Sequence, residues 1–122
     1  MAGCPFCPDS ARYFLEIGTA AAIYDHYPVN KGHVLVVPKA HRTDLFRCTP
    51  EELADMWQVI SRVKEVLDRE HGPDAYNIGT NAGEAAGQTV FHCHIHVIPR
   101  FKGDCDSPRG GVRRVKVPLV EY

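Results

Sequence analysis

Phe91-His92-Cys93-His94-Ile95-His96-Val97-Ile98-Pro99-Arg100 places three histidines on alternate positions, with apolar Cys93, Ile95, Val97 and Ile98 between and after them. Period-two alternation with β-branched residues reads as a half-buried strand over residues 91–99. Side chains at i, i+2 and i+4 of a strand share a face, with neighbours roughly 7 Å apart. His92, His94 and His96 therefore project from one face while Cys93, Ile95 and Val97 anchor the other in a core. Histidine is the side chain whose charge changes near neutrality, so three in register are a chemical arrangement rather than assorted surface polarity.

Two chemistries suit such a strand. His-x-His offers two nitrogens to zinc, though a catalytic metal also needs a third strong ligand and an open position. The preceding stretch, Asn81-Ala82-Gly83-Glu84-Ala85-Ala86-Gly87-Gln88-Thr89-Val90, is small and rich in glycine. Such a loop brings backbone N–H groups and the Thr89 hydroxyl close to the oxygens of an anion. Histidines beside it favour phosphate chemistry.

His-φ-His-φ-His-φ-φ after Gly87-Gln88-Thr89-Val90 resembles the signature of the histidine triad (HIT) superfamily of nucleotide hydrolases and transferases. Two further stretches agree. Asp25 to Lys39, with His33, is similar to the family's ribose- and phosphate-binding segment. Cys4-Pro5-Phe6-Cys7, with His41 just after Pro38-Lys39, is similar to the start of its zinc-bearing branch. The resemblance runs from residue 4 to about Asp104.

It implies an α+β fold: a five-stranded antiparallel sheet with one long and one short helix, and a two-fold homodimer. It implies attack by His94 on the α-phosphorus of a nucleoside phosphate derivative, giving a nucleotidyl-histidine that water releases. Imidazole is both a good nucleophile and a good leaving group, so one hard substitution becomes two easier ones. Attack needs one ring nitrogen unprotonated and the other held by an acceptor, such as a backbone carbonyl. His96 and His33 would donate to phosphate or leaving-group oxygens. Thr89 and the backbone around Gly87 and Gln88 would stabilise the same developing charge. Asn81 matches an amide position near the leaving group, and Asp25 a residue that accepts from ribose hydroxyls. Without the resemblance, Asp25 reads as a turn carboxylate before Tyr27-Pro28. Phe6 and Ile17 are candidates to enclose a purine base.

Cys4 and Cys7 have two readings. A redox Cys-x-x-Cys should follow a strand and open a helix, and residue 4 leaves no room for one. The resemblance implies instead half of a Cys₂His₂ zinc site completed by His41 and His92. A closed set of four ligands is structural. Cys93 and Cys48 read as inert, and Cys105 has no assigned role.

Composition fits a single domain. The chain has 122 residues, a formal charge of −1 and five scattered cysteines. Near-neutral charge gives no case for nucleic-acid or membrane binding. The sequence shows no long apolar run and no basic-then-apolar leader. An odd number of cysteines argues against a disulfide scaffold and for the reducing cytoplasm.

Strands are expected over residues 12–18, 20–24, 33–37 and 76–81, with a helical turn near 43–47. Thr49-Pro50-Glu51-Glu52 opens a helix with an N-cap, a proline at the first position and a capping box. Leu53, Trp57, Ile60, Val63 and Leu67 read as its buried stripe, with Trp57 in the core. His71-Gly72-Pro73 stops it. The HIT domain is expected over 1–104 and a loop-rich tail over 105–122, whose Arg109, Arg113 and Arg114 suit phosphate.

Two functions remain open. One is an enzyme cleaving a dinucleoside polyphosphate or a nucleoside phosphoramidate. The other is a purine-nucleotide-binding or sensing module with little turnover. Retention of His94 favours the enzyme. The flanks Gly-Gln-Thr-Val and Val-Ile-Pro-Arg resemble the dinucleotide hydrolases. Cys-x-x-Cys and Pro-Lys-x-His resemble the phosphoramidate-cleaving branch. A phosphorylase normally carries glutamine at the central triad position, against which His94 speaks.

Overall fold

A computed structural model describes residues 3–121. Five strands, β1 (Leu15–Ile17), β2 (Ala20–Tyr24), β3 (Val34–Pro38), β4 (Ala75–Thr80) and β5 (Ile95–Arg100), form one sheet in the order β1-β2-β3-β5-β4. Every neighbouring pair is antiparallel. One long helix, α1 (Pro50–His71), packs on one face against β1, β2 and β3. Short 3-10 turns lie at Leu45–Arg47, Glu84–Ala86 and Gly111–Arg113. The expected α+β architecture stands.

Helix α1 begins as its sequence dictates. The Thr49 hydroxyl accepts from Glu52 N–H, and the Glu52 carboxylate accepts from Thr49 N–H at 2.8 Å. Arg42 Nε also donates to Glu52, at 3.0 Å. Burial works against the ionised Glu52, but these donors outweigh it and hold its carboxyl below the usual range. Gly72 closes the helix in the left-handed conformation, φ 58° and ψ 46°, its N–H returning to Leu67 and Asp68 carbonyls.

The buried stripe is not the expected one in the first half of the helix. Met56, Val59, Ile60, Val63 and Leu67 are buried, whereas Trp57 is 61% exposed and Leu53 41%. Glu52, Met56, Val59 and Val63 follow i, i+4, i+7, i+11, a truer 3.6-residue period than Leu53 and Trp57 give. Glu52, buried beneath Arg42, lies on that stripe, and Trp57, one residue past Met56, is turned roughly 100° from it. Trp57 is therefore not core.

Two strands are shorter than expected. β1 is Leu15–Ile17 rather than 12–18, although Phe14 N–H still donates to Ala22 O. β5 begins at Ile95, not Phe91. Between them, Cys93 N–H is drawn to Arg42 O at 2.6 Å, outside the strand ladders. The alternation itself holds: Cys93 and Val97 lie in the core against α1, with Ile95 packed on it.

The other face of the sheet carries the site. Register places Ile23 opposite Leu35, Leu35 opposite His96, and His96 opposite Gly79. Direct partners point to the same face, so one row crosses four strands in the order Ile23, Leu35, His96, Gly79.

Candidate active site

A cleft of about 1000 Å³ opens above that row, lined by Phe6, Ile23, Asp25, Leu35, Asn81, Gly87, Thr89, Val90, His94 and His96 among others. The volume suits a nucleotide. Asp25, Asn81, Gly87, Thr89, His94 and His96 thus stand together. Phe6 joins them, its ring 5.0 Å from that of His94. Ile17 does not; it packs at the edge of the core beneath α1.

Hydrogen bonds fix the state of each histidine. His94 Nδ1–H donates to the carbonyl of His92 at 2.8 Å. A carbonyl only accepts, so in neutral His94 the lone pair is on Nε2. The Thr80 hydroxyl donates to His94 O at 2.7 Å and pins the backbone there.

His33 and His96 form a relay. Val29 N–H donates to His33 Nδ1 at 3.0 Å, which leaves the proton of neutral His33 on Nε2. His33 Nε2 lies 2.9 Å from His96 Nδ1 and 3.4 Å from Asp25 Oδ2. It donates to His96, so the proton of neutral His96 is on Nε2. His94 offers a lone pair and His96 an N–H: two imidazoles two residues apart, held in opposite roles.

Burial, then repulsion from His94 and His33, pushes His96 from the ordinary 6.5 down to about 4. His33 is lowered too, chiefly by burial. Because a depressed histidine pKa disfavours the charged ring in the folded state, His96 supports folding fully above pH 6.5. That support falls away as pH drops towards 4. Nitrogen-detected NMR should show His96 as the neutral Nε2–H tautomer from pH 8 to 5. A midpoint near 6.5 would refute the relay.

Asp25 Oδ1 accepts from Tyr27 N–H, so the turn reading is satisfied by one oxygen while the carboxylate still lines the cleft. Gln88 is buried and outside the cleft lining: its Nε2 donates to Thr43 O and Val90 O, and its Oε1 accepts from Gly83 N–H. Gly87 and Gln88 N–H groups are committed to Glu84 and Gly83 carbonyls. The loop's side chain and amides hold its own shape, and Thr89 is left as the polar group facing the cleft.

Cys4, Cys7, His41 and His92 gather behind His94, their ligand atoms within 4.8 Å of one another. His92 Nε2–H donates to Pro38 O at 2.7 Å, which turns the Nδ1 lone pair inward. That Nδ1 lies 3.3 Å from Cys4 Sγ, 3.5 Å from Cys7 Sγ and 3.2 Å from His41 Nδ1. In a zinc tetrahedron with Zn–S near 2.3 Å and Zn–N near 2.0 Å, the N–N and N–S edges are about 3.3 and 3.5 Å. The donor set fits zinc in type, number and spacing, and all four positions are protein side chains.

Sequence reading missed Ile23, Leu35 and the polar rim of Ser10 and Arg12. Ile23 was legible, standing on β2 two residues before Asp25, which follows the strand's end. Leu35 becomes visible only through register.

The family model for the HIT domain matches residues 9–103. The chain belongs to the HIT family. An uncharacterised HIT-like protein of Methanocaldococcus jannaschii is 45% identical over 111 residues, 90% of this chain and 85% of its own. The bis(5′-nucleosyl)-tetraphosphatase of Schizosaccharomyces pombe is 38% identical over 97 residues, covering 80% of this chain and 53% of the relative. The same yeast's adenosine 5′-monophosphoramidase is 35% identical over 85 residues, 70% and 61%. This chain thus spans little more than half of these two yeast relatives. A crystal structure of a zinc-bound HIT protein from Mycobacterium smegmatis superposes with a TM-score of 0.75 at 39% identity, covering 86% of this chain and 80% of that one. The relatives thus include HIT hydrolases of both types.

Proposed function

We propose that this HIT protein cleaves at the α-phosphate of a dinucleoside polyphosphate or a nucleoside phosphoramidate through a nucleotidyl-His94 intermediate. The observation that carries it is the pair of fixed tautomers. The His94 Nε2 lone pair attacks phosphorus; the bond to the leaving oxygen or nitrogen breaks, and its electron pair goes with the leaving group. His96 Nε2–H donates a hydrogen bond to that atom and stabilises the charge on it, and an amine leaving group takes its proton from solvent water. Water then displaces His94 from phosphorus and returns a proton to solvent. The sum is one water consumed and two fragments released.

Asp25 receives the ribose hydroxyls and Thr89 donates to phosphate oxygen. Phe6, Ile23 and Leu35 give the nucleoside an apolar bed. His33 positions His96, and Asn81 stands on the leaving side. Zinc held by Cys4, Cys7, His41 and His92 supplies no open coordination position; it ties the N-terminal segment to the backbone that carries His94.

A sensing module has no need of a backbone carbonyl and a buried relay that set opposite tautomers, so the enzyme is the better reading. The unpaired outer edge of β4 and exposed Phe46, Leu53 and Trp57 support a homodimer. Five unpaired cysteines support a cytoplasmic setting. No helix among the described residues is long and apolar enough to cross a membrane.

Purified protein offered diadenosine tetraphosphate and adenosine 5′-phosphoramidate should release AMP from at least one. With neither substrate hydrolysed, but AMP bound, the sensing reading replaces this one.

A further inference from the structure

The tail was expected to be loop-rich, and its loops are tied together by hydrogen bonds. Arg109 pairs with Glu121 at 3.1 Å, Arg113 Nη2 donates to Val120 O at 3.2 Å, and Arg114 Nε donates to Arg109 O at 2.9 Å. Its turn at Gly111–Arg113 packs against β4. Between turn and sheet lies a second cavity of about 320 Å³, lined by Asn77, Gly79, Asn81, His96, Ile98, Val112, Arg114 and Val115 among others.

This compartment is joined to the active cleft. His96 and Asn81 line both. The row Ile23, Leu35, His96, Gly79 gives the order: the apolar bed lies on one side of His96 and the second cavity on the other. A phosphorus atom beside His94, with its nucleoside over Ile23 and Leu35, sends its leaving group past His96 towards Gly79.

Gly79 is the independent sign. It sits inside a strand whose pairing runs unbroken from Ala75 to Thr80, where glycine weakens the sheet and, with no bulge to explain it, leaves the backbone open to close approach. A Cβ built there meets nothing within 4 Å, so no packing in the fold requires a glycine. The walls are of mixed chemistry. Ile98, Val112 and Val115 offer apolar surface to a ring, Asn77 and Asn81 offer amides, and Arg114 brings a cation suited to phosphate oxygens.

We propose that the open compartment over Gly79, flanked by the chain's own tail, holds the departing nucleotide of a dinucleoside polyphosphate. It rests on the reading of His94 as nucleophile, and it assigns the tail a specificity role. The ammonia released from a simple phosphoramidate is too small to touch these walls.

The test compares two substrates on the full chain. Gly79→Val fills the floor with a residue that strands favour. It should raise KM for diadenosine tetraphosphate about tenfold or more, while KM and kcat for adenosine 5′-phosphoramidate change less than about twofold. Arg114→Gln should raise the dinucleotide KM by roughly five- to tenfold, the scale of one charge-assisted contact, and it carries the test if Gly79→Val fails to fold. Equal changes for both substrates, or unchanged dinucleotide KM in a folded variant, overturn the compartment. Absence of turnover with either substrate in the unaltered protein would instead strike the His94 reading. A tetraphosphate displacement assay on the unaltered protein would then decide separately whether Gly79→Val weakens dinucleotide binding.

Discussion

His94→Ala and His94→Asn will lower kcat by about 10⁴-fold or more and leave the affinity for AMP within about threefold of the unaltered protein. The reason lies in how the structure divides labour. His94 Nε2 carries the lone pair because Nδ1–H is spent on His92 O, whereas His33 sets His96 the other way. His96 has its Nδ1 occupied by His33 and presents N–H, so it cannot take over the attack. On the proposed reading the nucleoside contacts lie elsewhere, on the cleft residues Asp25, Phe6, Ile23 and Leu35. Near-normal kcat in either folded variant would rule out the covalent route. Circular dichroism and melting temperature establish that the variants are folded.

Purified protein will carry about one zinc per chain, and Cys4→Ser with Cys7→Ser will remove it. The melting temperature should fall by roughly 10–20 °C, the consequence of losing several kcal/mol in a domain of this size. The metal set joins residue 4 to residue 92 across most of the chain, so its loss frees both the N-terminal segment and the approach to β5. Phe6, between the two thiols, is a wall of the cleft, and its release should appear in KM more than in kcat per folded molecule. Elemental analysis finding no metal in protein prepared without chelator, or a double variant that melts with the parent, would overturn the assignment.

These two expectations depend on one residue differently. His92 gives its side chain to the metal set and its carbonyl to His94. Alternate positions on an extended backbone make that possible: Nδ1 of His92 turns to Cys4 and Cys7 while the peptide oxygen stays within reach of the next histidine but one.

Much of this was written in local sequence. Alternation around the histidines placed Cys93 and Val97 in the core and His94 and His96 in the cleft, because side-chain direction in extended chain is set by parity alone. Thr49, Pro50, Glu52 and Gly72 marked both ends of α1, because capping is a matter of groups three or four residues apart. The phase of that helix was not local. Trp57 and Met56 are adjacent, and it is Met56, on the stripe with Glu52 buried beneath Arg42, that faces the sheet. The backbone around Gly87 and Gln88 read as a cradle for phosphate charge, yet those two N–H groups donate to the Glu84 and Gly83 carbonyls, and the Gln88 side chain bonds Thr43 O from 45 residues away.

Sequence by itself determined the residue types and their faces, and it singled out the candidate sets: His94, His96, His33 and Asp25 for phosphate, and Cys4, Cys7, His41 and His92 for metal. The tertiary structure alone decided protonation and neighbourhood. Which nitrogen of His94 is bare depends on a carbonyl, and which of His96 is bare depends on His33, brought across from β3. The second compartment exists only because register puts Gly79 beside His96 and the tail flanks it. Periodicity fixes where a side chain points, whereas what it meets there is set by strand order and register, which no local pattern contains.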